Sequence, residues 1–224
     1  MKRSITRALI VVAAILGIVF AQVPAASAQT SEDLANTLGT LWTTVLETPA
    51  AENPFAQNFN PKFACFDLPN GTVAPFAGGD HFSCTVEPGT NIFVVGFSVE
   101  CSTFDADCGR GSPDGCDGMT PSALLECASA GDLDHAPTIT IDGKPVTVTE
   151  VHTPETSPLN IVLPADNIFG EPAGTTGLSM AHGWVTQLDH QLLPPGNHRI
   201  VIEDPSSPPS FPKTETKIKV KPRQ

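Results

Sequence analysis

Residues 91–100 read Asn91-Ile92-Phe93-Val94-Val95-Gly96-Phe97-Ser98-Val99-Glu100. Six of these ten side chains are β-branched or aromatic, the types that pack well on a pleated surface. The stretch predicts a strong strand, and the sequence on either side of it keeps the same character. Residues 138–151 hold two alternating runs flanking Asp142-Gly143, a pair that accepts positive φ in a two-residue turn, and so predict a hairpin. Residues 159–163, 183–193 and 199–203 continue the strand pattern. Lys217-Ile218-Lys219-Val220-Lys221 alternates polar and apolar, which predicts a strand with one buried face whose lysines suit an exposed sheet edge.

Helical signals are few. In residues 29–48, Leu34, Leu38, Leu41 and Val45 recur at helical spacing, Thr30 or Ser31 fits the N-cap, and Pro49 stops the run. Thr120 fits a second N-cap, Pro121 the first helical position and Gly131 the C-terminal end, which predicts a helix over 121–130. The fold class that follows is mainly β. It is a single disulfide-stapled β-sandwich, immunoglobulin-like or jelly-roll-like, with one or two short helices.

The chain opens with a different grammar. Lys2, Arg3 and Arg7 precede an apolar run over 8–21, and Ala26-Ser27-Ala28 forms a small-residue site. That layout predicts a secretory signal peptide, 1–28, cleaved between Ala28 and Gln29. The apolar run is too short to span a bilayer, which takes about 20 residues, so no membrane span is expected in the mature chain. The remaining organisation is a helix and loop over 29–62, a β-sandwich over 63–204, and a Pro/Ser linker with a basic C-terminal strand over 205–224. The full chain carries 12 basic and 24 acidic residues. Three of the basic residues fall in the leader, leaving a formal charge of −15 that argues against nucleic acid as a partner.

Six cysteines in an exported chain predict disulfides. The expected pairs are Cys65–Cys84 between neighbouring strands, Cys101–Cys127 between a strand end and the second helix, and Cys108–Cys116 closing an acidic loop. The spacings do not fit the close pairs of a zinc site. Calcium is a different matter. Asp105, Asp107, Asp114 and Asp117 lie in one Gly-rich loop, although the twelfth position, where an EF-hand needs a glutamate, is Cys116.

Two further constellations suggest chemistry. Gly177-Leu178-Ser179-Met180-Ala181 approaches a nucleophile elbow, but the strand-like residues after it predict an ordinary turn serine. His182, His190 and His198 are evenly spaced. Running 182–190 as one strand separates the first two by about 26 Å, and a turn over Pro194–Asn197 sets His198 opposite Leu193. Glu150, Glu155 and Asp166 offer carboxylates without a pattern that joins them. The chain has no tyrosine and two tryptophans. That shortage of flat aromatics weakens a sugar-stacking role, and Trp184 is expected in the core. Asn70-Gly71-Thr72 matches a glycan acceptor.

Several phrases together resemble a known group: Trp42–Pro49 with Asn53-Pro54-Phe55, Glu100–Phe104, Leu163–Phe169, Ala181–Val185 and Leu193–His198. They are similar to those of a family of exported "signal" or hypothetical secreted proteins from high-GC Gram-positive bacteria. The resemblance covers about 42–203. It implies one exported β-rich domain and assigns no catalytic residue. The expected function is therefore an exported non-enzymatic protein binding a cell-surface, cell-wall or other extracellular partner. The alternatives are an exported hydrolase with a site near Ser179 and His182, or a calcium-dependent adhesion module using the 105–117 loop.

Overall fold

The computed structural model describes residues 29–56, 65–76, 81–105, 116, 118–131, 135–205 and 213–223. The first helix, α1, spans Ser31–Leu46. Thr30 Oγ1 accepts the Asp33 N–H while the Asp33 carboxylate accepts the Thr30 N–H, a capping box that satisfies two orphan donors. The helix buries Leu34, Leu38, Leu41, Trp42 and Val45 on one side. Past its end, Asn53 Nδ2 donates at 2.7 Å to the Val45 carbonyl, which also accepts from Thr48 N.

The strands are β1 (Cys65–Leu68), β2 (Thr72–Pro75), β3 (His81–Val86), β4 (Asn91–Ser102), β5 (Thr138–Ile141), β6 (Lys144–Val146), β7 (Thr149–His152), β8 (Leu159–Val162), β9 (Thr176–Leu188), β10 (Gly196–Glu203) and β11 (Lys213–Val220). Helix α2 spans Pro121–Ala130, with the Thr120 hydroxyl accepting from Ala123 N. The fold is mainly β, in two sheets. The first runs β1-β2-β4-β9-β7, with β8 also on β9; the second runs β3-β11-β10-β5-β6.

Three layers result. One apolar cluster joins α1 to the first sheet through Leu38, Leu41, Phe93, Val95, Ala181 and Val185. A second draws on both sheets, setting Ile92, Val94 and Leu188 against Ile139, Ile200 and Ile218. Alternate residues of β4 feed these two clusters, so the strand is covered on both faces. Helix α2 packs at one end, where Leu124 and Ala128 meet Cys101 and Met180.

Four expectations change. The Asp142-Gly143 turn is present, with φ of 50° and 78° as a type I′ turn requires. Its second arm, however, ends at Val146, and Thr149–His152 joins the other sheet. Alternation reports a pleat but not which sheet owns it. Second, β11 has the expected alternating burial, yet it lies between β3 and β10 rather than at an edge. Its lysines point out from a sheet face that no helix among the described residues covers. Third, Cys65–Cys84 joins the two sheets rather than neighbouring strands, because β1 and β3 belong to different sheets. Fourth, Trp184 is half-buried rather than in the core, and its Nε1 is enclosed without a hydrogen-bond partner among the described residues.

The second bridge, Cys101–Cys127, ties α2 to the end of β4 across a Cα–Cα distance of 6.1 Å. Cys116 is also oxidised; Cys108 lies outside the described residues. Disulfides of this kind belong to an oxidising compartment. No helix among the described residues is long and apolar enough to cross a membrane.

Candidate functional site

The longest strand pairing sets β4 against β9, with Glu100 opposite Ala181 and Ser102 opposite Ser179. Because alternate residues share a face, Glu100, Ser102 and Ser179 form one polar row. Ser179 Oγ donates to Glu100 Oε1 at 2.5 Å. Beyond the strand, Asp105 Oδ2 accepts from Ser102 N at 2.7 Å and from Ser102 Oγ at 3.1 Å. Burial pushes the Glu100 carboxyl up to about 8; the nearby Asp105 charge adds to this, and the hydrogen bonds from Ser179 and Ser102 oppose it. Burial also raises Asp105. Glu100 is therefore largely protonated at neutral pH.

Ser179 is not the turn serine expected from its neighbours. It is fully buried within β9. Gly177, which resembled the first residue of an elbow, instead allows close approach: a Cβ there would lie 2.4 Å from Thr103 Oγ1. A protonated carboxyl is a poor general base. The alternation of β9 also sends His182 to the opposite face from Ser179, so the proposed pair is not brought together.

The three histidines occupy three settings. His182 Nε2 lies 3.4 Å from Glu150 Oε1, and its ring is parallel to His152 with centroids 6.4 Å apart. β9 ends at Leu188, before His190, which sits in a short helical turn bonded to Asn91. His198 lies on β10, which pairs with β5 and β11 and not with β9. The stretch over Pro194–Asn197 is thus an arch between sheets rather than a tight turn, the wider arrangement that the preference of tight hairpins for primed turns leaves open in the sequence. His198 Nδ1 meets Asp142 Oδ2 at 2.9 Å, and Nε2 meets the Pro194 carbonyl at 2.7 Å. Burial works against the charged imidazole, but these two acceptors outweigh it and raise the His198 pKa.

Of the four aspartates expected for calcium, Asp105 is engaged by Ser102 as described. Asp107, Asp114 and Asp117 lie outside the described residues. Among the described residues, no group of three His, Cys, Asp or Glu is arranged to hold a metal.

A site the sequence did not point to lies where the layers part. A cavity of about 230 Å³ is lined by Phe55, Pro75, Phe76, Val95, Phe97 and Ile202 together with Ser98, Thr214 and Thr216. Trp42 stacks on Phe55 at 5.6 Å and meets Phe76 edge-on at 5.3 Å. A β-bulge between Val95 and Phe97 shapes the floor. The polar atoms beneath are already used: Trp42 Nε1 donates to Ser98 Oγ at 2.9 Å, which donates to the His182 carbonyl at 2.7 Å. The lining is therefore chiefly apolar, and Phe55 at its rim is 47% exposed. The lining comes from the loop at Phe55 and from β2, β4, β10 and β11, so no local motif announces it.

No family model matches the chain, and neither a curated protein nor a solved structure is similar to it.

Proposed function

We propose that the protein is exported, loses residues 1–28, and binds an extracellular or cell-surface protein partner without catalysing a reaction. The observation that carries this reading is the aromatic cleft. Phe55, Phe76 and Phe97 surround a space of about 230 Å³, the size for one large apolar side chain. Such anchored side chains supply much of the affinity in protein interfaces. The leader pattern, the resemblance to exported β-rich proteins and the two disulfides support export. The separation of Ser179 from His182 weakens the hydrolase alternative.

The test places a photo-crosslinking amino acid at position 55 in the protein on its native cell surface. Leu192, exposed at 62%, is the control position. A discrete protein adduct at 55, absent at 192 and lost on Phe76→Ala, is expected. Identical labelling at both positions, or none at 55, overturns the reading.

A further inference from the structure

The outer face of the second sheet concentrates the positive charge of an acidic protein. Beyond position 28, seven of the nine basic residues lie in β6, β10 or β11, or within three residues after β11. Three of them are ion-paired: Arg199 with Glu215 at 2.5 Å, Lys213 with Glu203 at 2.7 Å, and Lys221 with Glu87. Lys217 and Lys219 are exposed and, among the described residues, have no ion pair. Both sit on β11, the second strand of this sheet, flanked by β3 and β10.

Register places hydroxyl and amide groups beside these lysines. Lys217 lies between Ser83 and Arg199, and Lys219 between Thr85 and Asn197. All six residues are exposed. Alternate residues on a strand stand about 6.6 Å apart, and neighbouring strands about 4.8 Å apart. The face is thus a flat grid in which Lys217, Lys219 and Arg199 stand beside Ser83, Thr85 and Asn197, with Glu215 next along β11. The two helices pack on the first sheet and leave this grid open.

We infer that this face docks a linear acidic polysaccharide, lying along β11 with its carboxylates on Lys217 and Lys219 and its hydroxyls on Ser83, Thr85 and Asn197. Charge complementarity selects an anion, and the flanking hydroxyls select a polyhydroxylated one. Among the described side chains the face has no aromatic platform for stacking bases, and the chain's net charge repels a densely charged nucleic acid. Repulsion from the acidic remainder of the molecule is screened beyond about 8–10 Å at physiological salt.

The experiment is affinity electrophoresis and calorimetry of the mature protein with polygalacturonate, with dextran and oligo-dT as comparators. Polygalacturonate is expected to bind, dextran not to bind, and oligo-dT to bind more weakly. Lys217→Gln/Lys219→Gln is expected to weaken binding at least tenfold with an unchanged melting temperature. Raising salt from about 50 to about 200 mM should weaken the wild type about tenfold or more, the response to releasing about two or three counterions. Undiminished binding by the double variant, equal binding of dextran, or preference for oligo-dT overturns the inference. So does sedimentation showing that the double substitution abolishes self-association without polymer, which would assign the face to a second copy of the chain. None of these results depends on the Phe55 cleft.

Discussion

Glu100→Gln is the substitution that most directly tests the polar row between β4 and β9. The glutamine keeps an acceptor for the Ser179 hydroxyl but cannot ionise. In the wild type, the native carboxyl titrates near 8 and the unfolded one near 4.5. Between those values the native state holds a proton that the unfolded state has released, so stability falls as pH rises. The contribution is complete below 4.5 and lost by the time pH has passed 8. At 1.36 kcal/mol per unit, the full effect has a ceiling of about 5 kcal/mol, a large share of a typical domain's 5–15 kcal/mol. Urea unfolding at intervals from pH 4.5 to 9 measures it. The two proteins should be within about 1.5 kcal/mol of each other at pH 4.5, the scale of one altered hydrogen bond. The variant should become the more stable one as pH rises. Parallel curves across the range would refute the assignment of a protonated Glu100. Because Asp105 contributes to the shift, Asp105→Asn should move the wild-type transition to lower pH.

Three other outcomes are expected. His198 should titrate above 6.5 by NMR, and its stabilising effect, on the order of 1–2 kcal/mol, should be full below 6.5 and vanish as pH rises through the native value. The partner effect has the opposite sign: the His198 hydrogen bond, then that from Arg199 N–H, lowers Asp142, so its contribution is lost as pH falls below 3.8. Asp142→Asn should bring His198 back toward 6.5. Gly183→Ala should cost about 2–3 kcal/mol in chemical denaturation, since its Cβ would lie 2.7 Å from the Phe97 carbonyl oxygen and from Ser98 Cβ. Replacing Cys65 and Cys84 together by serine should cost about 3 kcal/mol, the scale for a loop with a sequence separation of 19.

What could be read from the sequence was local. Thr120 and Pro121 announce α2, and Asp142-Gly143 announces a type I′ turn, because capping and positive φ are properties of a few adjacent residues. The apolar run at Ile92–Val95 announced a strand. Sheet membership was not legible. Nothing near Val146 states that the next strand leaves for the other sheet, and nothing near Lys217 states that β3 will lie beside it. The same limit hid the functional geometry. Ser179 reads as a turn residue until β4 supplies Glu100 as its partner, and Phe55 reads as loop until Trp42 and Phe76 are folded against it. Trp184 shows the converse: its residue type suggested core, but its place beside the Phe97 bulge leaves it half-covered.

The pairing of β3 with β11 has a consequence for the order in which the molecule can be assembled. β3 lies in the first half of the chain, and its only described strand partner is the last strand, aligned from Glu215↔His81 to Val220↔Val86. As the polypeptide is made from its N-terminus, β3 must wait with an open edge until residues 213–220 have emerged. Such long-range closure places a domain among the slower folders, in the millisecond-to-second range. A chain cut short before residue 213 would lose one strand and strand another, leaving β3 as an unprotected template for unwanted pairing. The Cys65–Cys84 bridge spans a much shorter length of chain, so it can tether β3 to the first sheet long before its proper neighbour arrives.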